Sequence, residues 1–332
     1  MGVSHRKPVT MKDVAAHAGV SAATVSRALS GGRSMNPAVR DRVQAAARDL
    51  GYQINLLGRA LRQQRLNIVG LMVPDLDNPF FAALAEQLAR TLRSHGFELL
   101  VSSAAGSVEV EAQGVQSFLG QQIHSLVIIP CDEVESAATL RLAQQRVTVV
   151  QFDRRVATVD VPFVGGDNAA GMELIAAHVR ATGVSESEVA FFGADPHSSS
   201  GRERWEGFHR AFPNSPQFSG AFDIDWGYQA VTELLSRGTK TGTIVAAADV
   251  IALGAISGLH AAGMNVPGDF RVVGFDGVGI ASFALPKLTT VRQPVEKMSD
   301  AIRLLIGAEP GSATPAETLL QPEFVLGESS PE

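Results

Sequence analysis

The chain has 332 residues, 45% hydrophobic and 19% charged, with a formal net charge of −6, eight His and one Cys. This length and apolar content exclude a disordered chain and a small disulfide-stapled one, and predict two or three globular domains with sizeable cores. The lone Cys131 excludes an internal disulfide. Placed just past the apolar run 126–130, it reads as a buried structural thiol of a protein kept in a reducing cytoplasm. The first ten residues lack the apolar stretch of a secretory signal. No apolar run approaches the roughly 20 residues of a bilayer-spanning helix, so neither export nor a membrane partner is expected.

The N-terminal elements come as helices. Thr10 and Asp13 have capping-box spacing and start a first helix, with Val14, Ala15 and Ala18 on one face. Gly19 permits the left-handed backbone that ends it, Val20 plugs the corner, and Ser21 caps a second helix with Val25 and Leu29 inward. Ala22, Ala23, Ser26, Arg27 and Ser30 then face outward. A third helix is announced by Asn36 and Pro37 and carries Val39, Val43, Ala46 and Leu50 as its apolar stripe, with Gly51 as terminator. Three short helices with a tight turn between the first two make a helix-turn-helix, a DNA-reading headpiece. An ordinary helical hairpin has the same spacing, and charge separates the two readings. Residues 1–65 carry eleven Lys or Arg against three acids, a net of +8, so the rest of the chain carries −14. A basic end on an acidic body suits phosphate binding by one module alone.

From Asn67 onward, short Val/Ile/Leu-rich runs alternate with amphipathic segments, at 68–73, 98–102, 125–129, 147–152, 189–192, 243–247 and 271–275. Continuous apolar strands between helices predict parallel sheets covered on both faces, and the length favours two such sheets. Ligands of open parallel sheets bind beyond the strands' carboxyl ends. The loops at 74–81, at Asp153, Arg154 and Arg155, at 195–202, at Ala248 and Asp249, and at Asp276 and Gly277 therefore hold the candidate chemistry. Carboxylates, an Arg, an Asn and aromatic rings suit a polyhydroxylated ligand, although any one Asp after a strand equally suits a helix cap.

Residues 14–29 (VAAHAGVSAATVSRAL), followed by 69–75 (VGLMVPD), 78–81 (NPFF), 272–276 (VVGFD) and 288–293 (LTTVRQ), resemble the lactose-repressor/galactose-repressor (LacI/GalR) family of bacterial transcriptional regulators over nearly the whole chain. The resemblance implies a homodimer, sometimes a tetramer, on a palindromic double-stranded DNA operator. It also implies an α/β periplasmic-binding-protein-like core of two parallel-sheet subdomains, whose cleft takes a small-molecule effector, most simply a carbohydrate. Domain limits then fall at 1–54 for the headpiece, 55–66 for a hinge helix and linker, and 67–332 for the core. Within the core the N-subdomain takes 67–165 and 293–322, and the C-subdomain 166–292 and 323–332. The tail past Leu326 has no heptad repeat, so a dimer is the default.

Carried onto this chain, the second helix enters the major groove. Arg27 is placed for a bidentate guanine contact, Thr24 and Ser26 for phosphates or base edges, and Thr10, Ser21 and Ser30 beside them. Ala22 and Ala23 occupy the positions the family varies to choose operators. Asn55, Gly58 and Leu61 fall in the hinge, Leu61 as a minor-groove wedge. Here Ile54 replaces the usual Pro and Gly58 a helix-favouring Ala, which implies a hinge reluctant to fold without DNA and predicts tighter operator binding by Gly58→Ala. Asn78, Phe80, Phe81 and Asp153 line the effector cleft from one side. Ser198, Arg202, Phe222, Asp249 and Asp276 close it from the other, and Gln293 sits on a crossover. Ala248 stands where sugar-responsive members commonly have Asn, which leaves a sugar phosphate or nucleobase as alternative effectors.

Two other classes fit less well. A transport solute-binding protein shares such a core but needs a secretory signal and no basic end. A sugar-metabolising enzyme needs a phosphate loop or an activated nucleophile, and no such motif is found; the His residues show no metal spacing. No enzyme activity, cofactor or metal is expected.

Overall fold

The computed structural model describes residues 9–29, 36–50, 67–308 and 313–332. The chain forms two compact units that divide between residues 66 and 67.

The first unit is helical: α1 (Met11–Ala18), α2 (Ala22–Leu29) and α3 (Pro37–Asp49). The Asp13 carboxylate accepts from the Thr10 amide at 2.8 Å and the Thr10 hydroxyl at 2.6 Å, which satisfies groups the helix start leaves open. Gly19 ends α1 at φ 63°, where a side chain would be strained. Ser21 Oγ accepts the Thr24 amide at 3.1 Å and so starts α2, and Asn36 Oδ1 accepts from Ala38 at 2.9 Å ahead of Pro37. Each helix contributes one fully buried Val, namely Val14, Val25 and Val43. Alanines 15, 18, 28 and 46 let the axes approach around them. Arg42 Nε donates to Ala18 O at 3.0 Å and ties α3 to the end of α1.

The second unit holds two six-stranded sheets. The first contains β1 (Ile68–Val73), β2 (Glu98–Ser103), β3 (Ser125–Ile128), β4 (Thr148–Phe152), β5 (Phe163–Gly166) and β11 (Glu317–Leu320), in the order β11-β5-β4-β3-β1-β2. The second contains β6 (Val189–Gly193), β7 (Gln217–Ser219), β8 (Gly242–Ala246), β9 (Phe270–Asp276), β10 (Thr289–Arg292) and β12 (Glu323–Val325), in the order β12-β10-β9-β8-β6-β7. All pairings are parallel except β10 with β12, which is antiparallel.

Helices cover both faces, as buried parallel strands require. On the first sheet, α4 (Pro79–Arg93) packs with α11 (Val295–Ile306), and α5 (Val108–Gly120) with α6 (Ala137–Gln144). On the second, α7 (Asn168–Ala181) packs with α8 (Ser199–Ala211), and α9 (Ile224–Ser236) with α10 (Asp249–Ala261). The chain passes between the sheets after β5, after β10 and between β11 and β12. These three crossings put the carboxyl ends of both sheets on either side of one cleft. Among the described residues no helix is long and apolar enough to cross a membrane.

Candidate functional site

The cleft is built from strand ends. On one side Asn78 caps α4, its Oδ1 accepting the Phe80 amide at 3.0 Å, and this sets Phe80 and Phe81 at the first helical turn with their rings buried. Asp153 follows β4 in a left-handed backbone (φ 61°), and Asp276 ends β9 at φ 111°. Non-glycine residues rarely adopt such angles, and strain of this kind is held in place only by surrounding bonds.

Those bonds converge on Gln293, on the crossing after β10. Its Nε2 donates to Asp153 Oδ1 at 3.2 Å and to Asp276 Oδ1 at 3.0 Å, so one amide joins the facing strand ends of both sheets. Arg204 completes the arrangement. It pairs with Asp276 at 3.0 Å, donates from Nε to Asn168 Oδ1 at 2.9 Å and from Nη1 to Ala247 O at 2.7 Å, and lies 3.9 Å from the centre of the Phe275 ring. Burial pushes the Asp276 carboxyl up to about 6 against the opposing pull of Arg204, and it raises Asp153 as well.

Asn78, Phe80, Phe81, Asp153, Arg154, Ser200, Arg204, Phe222 and Asp276 surround a gap of about 10 Å³, room for about one water. Phe80 and Asp276 are also walls of a wider chamber of about 410 Å³ that runs along the Gly277–Gly279 backbone, Gln293 and the start of α11. Six of the residues singled out from the sequence, Asn78, Phe80, Phe81, Asp153, Phe222 and Asp276, thus surround one gap, and Gln293 lies beside it.

Three others are placed elsewhere. Arg202 lies away from the gap at the rim, with Nε 3.0 Å from both Glu133 oxygens and Nη1 2.8 Å from Glu206. Two residues along a helix is about 200° of rotation, so Arg204 faces the cleft and Arg202 turns from it. Ser198 is spent as the cap of α8, accepting from Gly201 N at 3.1 Å and donating to Asp195 O at 3.0 Å. Asp249, fully buried, accepts from Thr290 Oγ1 at 2.5 Å and from the Val278 amide at 2.8 Å, holding the loop behind Asp276, and is not among the residues around the gap. Its carboxyl is pushed up to about 8, first by burial and then by Asp276.

Sequence reasoning missed Arg204, and it reached Arg154 and Ser200 only as members of candidate loops, without singling them out. Arg204 had a signal: it precedes Phe208 by four residues and follows Ser200 by four, which places it on the apolar face of its helix.

In the headpiece, Thr10, Ser21, Ala22, Ala23 and Arg27 are exposed, and Thr24 and Ser26 half-buried. All but Thr10, which caps α1, lie on α2 or at its start. Ser30, Asn55, Gly58 and Leu61 lie outside the described residues.

A helix-turn-helix unit joined to a two-sheet core with a cleft between the strand ends defines a DNA-binding transcriptional regulator with an effector-binding core. Residues 10–55 match the lacI family of bacterial regulatory proteins, and residues 69–284 a periplasmic binding protein domain. The chain is 30% identical over 333 residues to the HTH-type transcriptional regulator MalR of Streptomyces coelicolor, covering 95% of each chain. It is 29% identical over 306 residues to the ribose operon repressor of Halalkalibacterium halodurans, covering 90% of this chain and 89% of that one. A crystal structure of the Lac repressor bound to ONPG in the repressed state superposes with a TM-score of 0.86 at 25% identity, over 97% of this chain and 100% of that one. The chain belongs to the lacI family of bacterial transcriptional regulators.

Proposed function

We propose that this regulator represses a carbohydrate-utilisation operon in the cytoplasm, binding a palindromic operator as a homodimer and releasing it when a sugar-like effector enters the cleft. The observation that carries this reading is the cleft itself. Asn78, Phe80, Phe81 and Asp153 from one sheet meet Arg204, Phe222 and Asp276 from the other. Hydrogen-bonding groups beside aromatic rings are what a polyhydroxylated ring needs. The named relatives, a ribose operon repressor among them, support the same class.

An exposed apolar set on the loop after β9, Ile280, Phe283 and Leu285, is consistent with a second copy covering it. The cleft is read as a binding site rather than a catalytic one, because its two carboxylates are joined through Gln293 and Asp276 is paired directly with Arg204. An effector changes operator affinity only by as much as it prefers one subdomain arrangement over another, typically about 1–3 kcal/mol.

The test is a thermal-shift panel of monosaccharides, disaccharides, sugar acids, sugar phosphates and nucleobases, followed by gel-shift release from an operator selected out of random DNA. Stabilisation by one sugar class that also releases the operator supports the reading. Stabilisation by nucleobases alone, or release by no compound, overturns it.

A further inference from the structure

Resting on the proposed sugar-responsive cleft, we propose that the effector is an anionic carbohydrate whose charged group is met by Arg154. Arg154 follows Asp153 at the end of β4 and is only 5% exposed. Its guanidinium carbon lies 5.3 Å from the centre of the Phe81 ring and 4.8 Å from that of Phe222, rings supplied by opposite sides of the cleft. Its Nε–H is buried without a hydrogen-bond partner. Among the described residues it enters no ion pair, whereas Arg204 beside it is bonded to Asp276, Asn168 and Ala247.

The cost of this arrangement is the argument for a ligand. A buried donor left unsatisfied destabilises the fold, and a buried cation does so more, so such groups are normally paired. Burial lowers the basicity of Arg154 for that reason. Asp153 and Asp75 are close enough to attract Arg154 but make no ion pair with it, Asp153 being bonded to Gln293 and Asp75 to the Asn78 amide at 2.8 Å, while Asp276 is held by Arg204 and Gln293. The N–H groups of a guanidinium point outward in its plane, so a partner has to approach its edge. A carboxylate fits that edge through the two-pronged contact of which Nε–H is one prong; a phosphoryl oxygen pair offers the same two acceptors. The sugar ring then lies along Phe80 toward the 410 Å³ chamber, whose walls include Asp276 and Gln293.

The experiment is calorimetric titration of the full chain with matched pairs: glucose against gluconate, glucuronate and glucose 6-phosphate, and galactose against galacturonate and galactose 6-phosphate. The same titrations are run on Arg154→Gln, with cooperative thermal unfolding as the check that the variant is folded. A charged hydrogen-bonded contact predicts binding of one acid or phosphate about 10- to 100-fold tighter than its neutral partner, with that preference lost in Arg154→Gln. An acid that wins names a carboxylate, and a phosphate that wins names a phosphoryl group. A neutral sugar that binds as well as its charged partners overturns the inference and leaves the sugar-responsive reading standing. Retention of the preference in folded Arg154→Gln also overturns it, as does binding by none of the acids or phosphates, whereas the sugar-responsive reading falls only if the full panel of sugars fails as well.

Discussion

At the scale of single residues, the cleft is held by charges that have no water to fall back on. Arg204 and Asp276 are 2% and 4% exposed, and each is the other's counter-ion at 3.0 Å. Removing one member of such a pair leaves a buried charge uncompensated, a loss of about 3–5 kcal/mol. Arg204→Met is therefore expected to lower core stability by about that amount, read by urea unfolding, and by far more than Arg202→Met at the exposed rim.

Asp249 supplies a pH dependence. Its carboxyl titrates near 3.8 in the unfolded chain and near 8 in the folded one, so between those values the folded chain holds a proton that the unfolded chain has released. The stability this group contributes is full below pH 4 and falls as pH rises toward 8, by at most about 1.4 kcal/mol per pH unit for one proton. Asp276, raised to about 6, adds in the same direction. In Asp249→Asn the amide oxygen accepts from Val278 and its NH₂ faces Thr290, which keeps both contacts without the proton. Thermal melts from pH 5 to 8 are expected to decline less steeply for this variant than for the parent; equal slopes would remove Asp249 as the source.

At the scale of elements, helix α2 and the α9–α10 pair show how small side chains are used for opposite ends. On α2, Ala22 and Ala23 present only methyl groups, and Arg27 is exposed on the same helix, so in the proposed operator complex base discrimination is expected to rest on Arg27. Arg27→Ala is expected to narrow the preference for selected operator over random DNA by about 10- to 100-fold, since a bidentate guanine contact carries about 1–3 kcal/mol; competition gel shifts measure it.

In α9 and α10 the small residues serve packing. A Cβ on Gly227 would sit 2.1 Å from Ile251 O, and one on Gly254 would sit 2.1 Å from Ile224 O, so the two backbones are in contact. Gly254→Ala gains helix propensity yet forces these helices apart, and it is expected to cost about 1–3 kcal/mol in a denaturant titration.

The same scale explains what the sequence made legible. Strands β1 to β4, β6, β8 and β9 each carry a short apolar run and could be read directly, as could the capped headpiece helices. Strands β7 and β12 have three residues each, and β5 carries two glycines, so none has a run long enough to signal. Strand-end carboxylates and rings were visible as a set. Which of two arginines faced inward was legible only from the apolar face of α8, set by the four-residue spacing of Ser200, Arg204 and Phe208, and position after a strand alone pointed to the wrong one.

At the scale of the whole core, the cleft is shut by a rim that joins the two sheets' subdomains. The Glu133 amide donates to His197 O at 2.8 Å and the Glu133 carboxylate takes Arg202, while Arg155 donates from its backbone to Ser199 Oγ at 2.9 Å and pairs with Glu203 at 2.9 Å. Residues 133 and 155 follow strands of the first sheet, whereas residues 197 to 203 belong to the loop and helix after β6 of the second. With these contacts made, the gap around Arg154 and Arg204 has room for about one water, so a ligand that reaches both has to meet a core in which the rim has parted.

The apparent affinity of such a ligand is scaled by the fraction of molecules already open. Each partly exposed rim pair is worth about 0.2–1 kcal/mol, so Glu133→Gln raises the open fraction by about 1.4- to 5-fold. Effector binding to Glu133→Gln is expected to tighten by that factor, mostly through faster association, and scattering of the unliganded protein is expected to show a slightly larger radius of gyration. If instead the variant bound its effector more weakly, the rim would be holding the liganded arrangement together, and closure would be the state that the effector selects.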